Sequence, residues 1–515
     1  MNRQHPRIIV NDDGWILTAD EALATPETIH ERMVSSYEGS PVDVVSWCVG
    51  NQEVYDYETQ IGERFGTGSA PVTTESERAR QRNIEHLMEV ANGPLREITR
   101  QFHRAGMGLY ASVRMNSHYA ISYRSAGFGD FRRRHPEWLL GQPDEHIPAP
   151  TIEYATRTGL DYKHQGVRDH MEAIACELFE KFEVDGVELD FMRHPTFFRL
   201  REGRSHRYLM TDMLRRIRAR MEAVPRPVRL LVRVPPTLAD SERLGLDVRR
   251  WMAEGLVDDV VAGGGFTPFE TPVEEFVKAA KGTGCFIYGS LEALRPALDE
   301  EVVHAAAARS WSAGAQGLYL FNYYGVPAAW KRTVLADLAD VARLAGLSKR
   351  YELDHTDRVS GKEAHGGAFN HAHPQASLPV TLEPTLEAGG AELELVIAEA
   401  APTPTRCTLE LGFGELSEAD ELEVCFNERC LERLSFSREG WEFTCFNGPI
   451  HEERLGRGRS EGVSVRYEVG PKSLERVNRI RIRLIRPDPN CAAAPVLTEV
   501  RLHIGDSRHR SLPRQ

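Results

Sequence analysis

Two carboxylates stand two residues apart in the segment Asp185–Arg193, which has the sequence DGVELDFMR. Alternate residues of an extended strand share a face, so Glu188 and Asp190 are expected to point the same way. Two buried like charges are costly unless cations or hydrogen bonds compensate them, and their interaction drives the two pKa values apart. Such a pair suits acid–base chemistry. A structural ion pair is the alternative, and it fits Glu188 better than Asp190.

The elements that must position this pair follow a regular alternation. From residue 7 to about residue 347, short apolar runs alternate with stretches of helical period, the longest of which, 83–103, is predicted as one helix. The predicted strands are 7–10, 42–49, 108–115, 186–191, 228–234, 259–262, 285–288 and 317–321. Repeated strand–helix units require a parallel sheet, because each parallel crossover needs a covering helix. Eight such strands predict a closed (β/α)₈ TIM barrel, assigned to residues 1–350.

The sequence after residue 350 has a different composition and periodicity. Residues 351–377 are rich in His, Gly and Asp and show no periodicity, which predicts a linker. From 378 to 515, short alternating runs separated by turn residues predict an antiparallel β-sandwich. A packing role and an accessory carbohydrate-binding role both remain open for this second domain.

Barrel enzymes place their active sites at the carboxyl ends of the strands. Polar and aromatic residues that end or follow the predicted strands are therefore candidate substrate-binding residues. They are Asp12, Trp47, Arg114, Asn116, His118, Arg193, His194, Arg233, Asn322 and Tyr323. Aromatic rings such as Trp47 stack on sugar faces, although core packing explains any one of them equally well. The sequence around Asp12 is also compatible with a simple turn.

The segment 185–195 resembles the fourth-strand signature of glycoside-hydrolase-like barrels, in particular a large uncharacterised bacterial family with a DGIxxDxxRYP-type motif. The resemblance covers about the first 350 residues by strand order and is specific at this motif and at 114–116. The segment is more distantly similar to the DGxDxDxE strand of the family-18 chitinases. Met192 stands where the chitinase catalytic Glu belongs, so a chitinase mechanism is rejected.

The resemblance implies sugar hydrolysis at the barrel mouth. Many retaining glycosidase barrels carry a catalytic Glu at the seventh strand, and Glu292 has that place here. Asp190 is then the nucleophile or base, Glu292 the acid partner, and Glu188 a residue that tunes them. The separation of Asp190 and Glu292 would decide between inverting and retaining chemistry. A helix-capping role for Glu292 is equally compatible with the sequence.

The predicted function is a glycoside hydrolase acting on a poly- or oligosaccharide. If the three predicted mouth arginines (Arg114, Arg193 and Arg233) are not all consumed by Glu188 and Asp190, they indicate a uronate or sulfate group on the substrate. Two alternatives remain open: a non-catalytic carbohydrate-binding barrel, and a uronate-specific lyase with His118 or a tyrosine as base.

Composition excludes other classes of function. The net charge of -13 argues against a nucleic-acid partner, and no run of about 18 apolar residues predicts a membrane span. The first ten residues lack a signal-peptide core, which predicts a cytoplasmic protein, or a secreted one if a leader was removed. The 8 cysteines have no metal-ligand spacing and are expected to be reduced thiols, so no metal or cofactor is predicted. Nothing in the sequence indicates an oligomeric state.

Overall fold

The computed structural model describes most of the chain. The described residues are 5–18, 23–51, 53–116, 122–149, 151–192, 195–263, 269–292, 300–323, 326, 328–355, 376–383, 390–399, 406–438, 441–444, 457–460 and 462–505. They form a barrel followed by a β-sandwich.

The barrel confirms the predicted fold class. Its strands are β1 (Ile8–Asp12), β2 (Val44–Asn51), β3 (Gly108–Arg114), β4 (Gly186–Asp190), β5 (Arg229–Val234), β6 (Asp259–Ala262), β7 (Phe286–Glu292) and β8 (Gly317–Phe321). Every neighbouring pair is parallel, and β1 pairs with both β2 and β8, which closes the sheet. Two short strands, Val54–Tyr55 and Glu63–Arg64, extend the edge of β2.

Helices cover the outside of the barrel. They are α1 (Trp15–Thr18), α2 (Pro26–Ile29), α3 (Glu75–Ala91), α4 (Pro94–Arg104), α5 (Asp130–Arg134), α6 (Ile152–Thr156), α7 (Gln165–Lys181), α8 (Gly203–Glu222), α9 (Leu238–Arg243), α10 (Val248–Ala253), α11 (Val273–Ala280), α12 (Glu300–Ser312), α13 (Ala328–Ala339) and α14 (Val341–Ala345). A π-helical turn, His30–Val34, continues α2, and short 3₁₀ turns form at Pro136–Trp138 and Pro471–Ser473. Among the helices of the described residues, none is both long and apolar enough to cross a membrane.

One helix prediction was wrong. The stretch 83–103 forms two helices, α3 and α4, rather than one. Asn92 takes a left-handed conformation with φ 58° and Gly93 follows with φ 120°, so the backbone leaves the helix at this point. Pro94 then begins α4, because proline fits the first turn of a helix, where its missing N–H costs nothing.

The sandwich is built from two main antiparallel sheets. Its strands are β9 (Lys349–Glu352), β10 (Val380–Thr381), β11 (Ala391–Val396), β12 (Cys407–Gly414), β13 (Glu421–Phe426), β14 (Arg429–Cys430), β15 (Arg433–Ser437), β16 (Trp441–Thr444), β17 (Arg457–Ser460), β18 (Val463–Val469), β19 (Val477–Arg486) and β20 (Val496–Ile504). One sheet has the order β9-β20-β12-β18-β15 and the other β11-β19-β13-β14, while β16 and β17 pair separately. Alternate residues of β19 are buried and exposed, as a sheet with one wet face requires.

The cysteines differ from the expectation of reduced thiols at one place. Cys425 and Cys430 face each other across the β13–β14 hairpin and form a disulfide. The described cysteines outside this pair are free thiols.

The two domains pack against each other through α12. Ala305 of α12 belongs to the hydrophobic core of the sandwich, and β9 lies against the same helix. The backbone N–H of Glu270 donates to the Asp354 carboxylate and that of Asp354 donates to Glu270, both at 2.7 Å. The predicted boundary at residue 350 falls inside β9, which belongs to a sandwich sheet.

Candidate functional site

Strand β4 carries Glu188 and Asp190 into the barrel interior. Glu188 is fully buried, and Asp190 is 2% exposed at the carboxyl end of the strand. The strand is held on both sides, because the backbone of Asp190 is in register with Arg114 of β3 and Arg233 of β5. The period-2 alternation of the strand therefore brings both carboxyl groups to the same side, as predicted.

Glu188 is bound by neighbours from three other strands. The hydroxyl of Ser46 on β2 donates to its Oε2, and the hydroxyl of Tyr319 on β8 lies 3.0 Å from both carboxyl oxygens. Nε of Arg233 on β5 lies 3.8 Å from Oε1. Burial, together with the charge of Asp190, raises the pKa of Glu188 to about 7, although Arg233 opposes the shift. Near neutral pH the Glu188 carboxyl group is therefore close to its point of protonation.

Asp190 is bound in a two-point ion pair. Nε and Nη2 of Arg233 lie 3.0 Å and 2.6 Å from its two carboxyl oxygens, and the backbone N–H of Met192 donates to Oδ1 at 2.9 Å. Burial alone would lower the pKa of Arg233, but the charge of Asp190 raises it above its ordinary value. The guanidinium also lies 4.1 Å from the ring centroid of Phe321. Its Nη1 is buried and has no hydrogen-bond partner among the described residues.

A second buried carboxyl group lies at the end of β1. Asp12 accepts a hydrogen bond of 2.8 Å from the backbone N–H of Gly14. Burial and the neighbouring Asp13 raise the pKa of Asp12 to about 7, and Lys331 of α13 acts in the opposite direction. Lys331 is itself buried, which lowers its pKa to about 8. Its ammonium lies 4.6 Å from the ring centroid of Tyr37.

The end of β3 contributes Arg114 and Asn116. Nη2 of Arg114 lies 2.7 Å from a carboxyl oxygen of Asp13, so this arginine forms an ion pair at the mouth. Asn116 bonds to backbone groups: its amide nitrogen donates to the carbonyls of Thr196 and Leu160 at 2.6 Å and 3.1 Å, and its oxygen accepts from Leu160 N–H at 3.0 Å. Asn116 thereby fixes the loops that follow α6 and β4.

The candidate aromatic residues are buried. Trp47 of β2 and Tyr323 after β8 both belong to the main hydrophobic core and are 0% and 1% exposed. Asn322 sits between β8 and Tyr323 in a left-handed conformation with φ 54°, and its backbone N–H donates to Oδ1 of Asn11 at 3.3 Å. The Asn322 side-chain oxygen is buried without a hydrogen-bond partner among the described residues.

Four predicted site residues are described in part or not at all. His118, Arg193 and His194 lie outside the described residues. Glu292 ends β7 with its backbone in register with Phe321 of β8, so the residue is at the carboxyl end of the barrel. Nothing is described of its side chain.

Sequence reasoning missed two residues that hydrogen-bond to Glu188 and one whose charge acts on Asp12. Ser46 and Tyr319 bind Glu188 across 142 and 131 residues of sequence, so no local pattern marks them. Lys331 had a usable signal, because it is a single lysine early in the largely apolar helix α13 just after the eighth strand. A buried lysine requires a nearby anion or a neutral state, and Asp12 provides the anion.

Comparisons with known proteins give fold-level likeness alone. No protein-family model and no curated protein matches the chain. Similar solved structures include the GH36 alpha-galactosidase AgaA from Geobacillus stearothermophilus, with 15% identity over 91% of this chain and 56% of that one and a TM-score of 0.37. Alpha-L-fucosidase isoenzyme 2 from Paenibacillus thiaminolyticus has 11% identity over 67% of this chain and 51% of that one, with a TM-score of 0.41. This chain thus spans about half the length of these glycoside hydrolases. At such values the likeness carries no argument about activity.

Proposed function

We propose that the protein is a glycoside hydrolase acting on a poly- or oligosaccharide, with Asp190 at the barrel mouth as nucleophile or general base. The observation that carries the proposal is the difference between the surroundings of two neighbouring carboxyl groups, those of Asp190 and Glu188. Asp190 has the two-point ion pair with Arg233, whereas burial raises the pKa of Glu188 to about 7. A carboxyl group whose pKa is raised toward neutrality, beside a second carboxyl group held in an ion pair, is an arrangement that acid–base catalysis uses.

Glu292 is the proposed acid partner. It ends β7, and its neighbour in register, Phe321, stacks on the guanidinium that binds Asp190. Both carboxyl-bearing strand ends therefore belong to the same end of the barrel, where barrel enzymes hold their substrates. Glu188 lies one layer deeper and shares Arg233 with Asp190, which is the contact behind its proposed supporting role.

The charges described at the mouth favour a neutral glycan over one that carries uronate or sulfate groups. Arg233 is bound to Asp190 and Arg114 to Asp13, so both guanidinium charges are compensated by carboxylates. An anionic substrate group would have to compete with Asp13 for Arg114 and with Asp190 for Arg233.

A non-catalytic carbohydrate-binding barrel is the second candidate. It is favoured by the burial of both carboxyl groups, since Glu188 is 0% and Asp190 2% exposed. A buried ion pair with this geometry also arises for structural reasons, and it does not require a reaction.

A product assay separates these candidates. The protein is incubated with a panel of neutral and acidic poly- and oligosaccharides, and the reaction is followed by new reducing ends and by the ultraviolet absorbance of unsaturated sugars. New reducing ends that disappear in Asp190→Asn support the proposal. Retained binding without any product supports the second candidate, and an unsaturated product indicates a lyase instead. A panel with neither binding nor product contradicts all three.

A further inference from the structure

A cavity of about 250 Å³ lies beside the barrel mouth, between the loop that precedes α6 and the loop that follows β4. Its apolar lining comes from Leu140, Ile147, Phe198 and Leu200. Pockets for drug-sized ligands measure roughly 300–1,000 Å³, so this cavity suits a single ring rather than a long chain.

The polar lining of the cavity is mainly acidic. Three carboxylates line it, Glu145, Glu153 and Glu202, and one guanidinium, that of Arg199. Arg199 pairs with Glu145, while Nζ of Lys163 lies 3.2 Å from Glu202. No ion pair engages Glu153 among the described residues. An anionic ligand in this cavity would be repelled by the uncompensated charge of Glu153. The hydroxyl groups of a neutral ligand would instead donate charge-assisted hydrogen bonds to the carboxylates.

Thr196 also lines the cavity, with its hydroxyl group beneath the cavity surface. The residue is 2% exposed, and its hydroxyl oxygen has no hydrogen-bond partner among the described residues. A buried hydroxyl without a partner costs free energy, so a turn of the Thr196 side chain toward the cavity would let a polar ligand or water supply the missing bond. Rings with an apolar face and a hydroxyl edge satisfy both parts of this lining.

The cavity is mechanically tied to the candidate active site. Asn116 at the end of β3 donates to the carbonyl of Thr196 at 2.6 Å, and the backbone N–H of Met115 donates to the carbonyl of Asp190 at 3.0 Å. Thr196 follows Asp190 by six residues, and six extended residues span at most about 20 Å. The distance between the two places is therefore within the length of a glycan of a few units.

We propose that this cavity is a binding site for one neutral sugar unit, at a distance from the scissile bond of the glycan that reaches Asp190. The proposal takes its class of ligand from the proposed function. It adds a charge requirement, because the lining carboxylates disfavour a uronate or sulfated unit at this position.

Methyl NMR tests the proposal on the complete chain. With ¹³C-labelled isoleucine and leucine methyls, D-glucose, D-galactose, D-mannose and D-glucuronate are titrated separately into the protein. We expect at least one neutral hexose to shift the Ile147 methyl saturably, with a dissociation constant in about the millimolar range. D-glucuronate is expected to bind at least about tenfold more weakly, and the methyl of Ile482, in the sandwich core, should not move.

Two variants check the lining directly. Thr196→Val keeps the volume and removes the hydroxyl, so hexose affinity should fall about fivefold. Glu153→Gln changes an exposed residue and should narrow the gap between hexose and glucuronate. No saturable shift with any neutral hexose, or equal binding of glucuronate, would overturn the proposal, even if Thr196→Val failed to fold.

The binding experiment and the test for hydrolysis can fail separately. Hexose binding at Ile147 without new reducing ends from any glycan would count against the proposed hydrolase and leave the site standing. New reducing ends without hexose binding at Ile147 would do the reverse.

Discussion

The barrel holds an aspartate–arginine pair at each end, and the two pairs differ in their surroundings. At the amino end, Nε and Nη2 of Arg229 lie 2.7 Å and 2.6 Å from the carboxyl oxygens of Asp259. At the mouth, Arg233 binds Asp190 in the same two-point manner. The Arg229 side chain is 27% exposed, whereas that of Arg233 is fully buried and is shared with a second carboxyl group, Glu188.

The difference teaches which feature of a buried ion pair points to function. One cation with one carboxylate, as at Asp259 and Arg229, is balanced and needs no explanation beyond stability. One cation facing two buried carboxyl groups is a costly arrangement, because one of them must hold a proton or remain poorly compensated. Perturbed carboxyl groups at a barrel mouth are candidates for catalysis for this reason.

The largest effect is expected on activity. With the glycan that the wild type cleaves, Asp190→Asn should lower kcat by at least about 1,000-fold, because it removes the proposed nucleophile or base. Asp259→Asn makes the same chemical change at the opposite end and should keep most of the activity of the folded protein. Initial rates of reducing-end release measure both, after circular dichroism has shown that each variant is folded. Equal losses of kcat in the two variants would contradict a functional difference between the two ends of the barrel.

Removing each arginine tests the same comparison through stability. Arg233→Met leaves two buried carboxyl groups without their cation and should cost about 3–5 kcal/mol of unfolding free energy. Arg229→Met leaves only Asp259 inside the barrel, and the smaller charge imbalance should cost less. Urea unfolding at pH 8 gives both values. A larger loss for Arg229→Met would show that the charge surplus at the mouth is not the costly feature.

Glu188, the second carboxyl group beside Arg233, also predicts that the stability of the protein depends on pH. The pKa of Glu188 is raised from 4.5 to about 7 in the folded state, so its protonated form contributes stability that is complete below about pH 4.5 and lost as pH rises through about 7. Glu188→Gln remains neutral and should be more stable than the wild type at pH 8, by up to about 3 kcal/mol. Asp12 and Glu270 also have pKa values of about 7, so the stability of Glu188→Gln should still fall in part as the pH rises. Parallel stability curves for variant and wild type between pH 5 and about 8 would contradict the assignment.

The smallest effect distinguishes two buried tyrosines. Tyr319→Phe removes the hydroxyl that donates to Glu188 and should cost about 1.5–3 kcal/mol at pH 8, because the acceptor carries charge there. Tyr162→Phe removes a hydrogen bond to the uncharged carbonyl of Met115 and should cost only about 1 kcal/mol. Thermal unfolding in parallel measures the difference. If Tyr162→Phe costs as much, the charge of the Glu188 acceptor adds nothing to the hydrogen bond from Tyr319.

The barrel was predictable because its signals are local. Each interior strand is a short apolar run, and the alternation of Glu188 with Asp190 fixed their common side without any structure. Strand β9 was missed because its sequence, Lys-Arg-Tyr-Glu, is mostly charged. Nζ of Lys349 is nevertheless buried, 3.0 Å from a carboxyl oxygen of Glu399, and such distant pairing leaves no local pattern.

The site was predictable in its carboxylates and less so in their partners. Arg233 was found because a charged residue interrupts an apolar strand at its carboxyl end. Whether Arg233 binds a substrate or Asp190 depends on the register between neighbouring strands. The sequence of one strand does not reveal that register. Asn116 shows the same limit, since its side chain binds loop carbonyls 44 and 80 residues away.

The arrangement of β9 and β20 has a consequence for synthesis on the ribosome. The first of the described sandwich strands pairs with the last of them, Lys349 standing opposite Ile504, so their sheet stays incomplete until residue 504 has emerged from the ribosome. Until then the face of α12 around Ala305 lacks its cover, although the barrel strands preceding it have long been translated. This part of the barrel surface therefore stays uncovered until β20 has been synthesised, an interval in which nascent chains aggregate or bind chaperones.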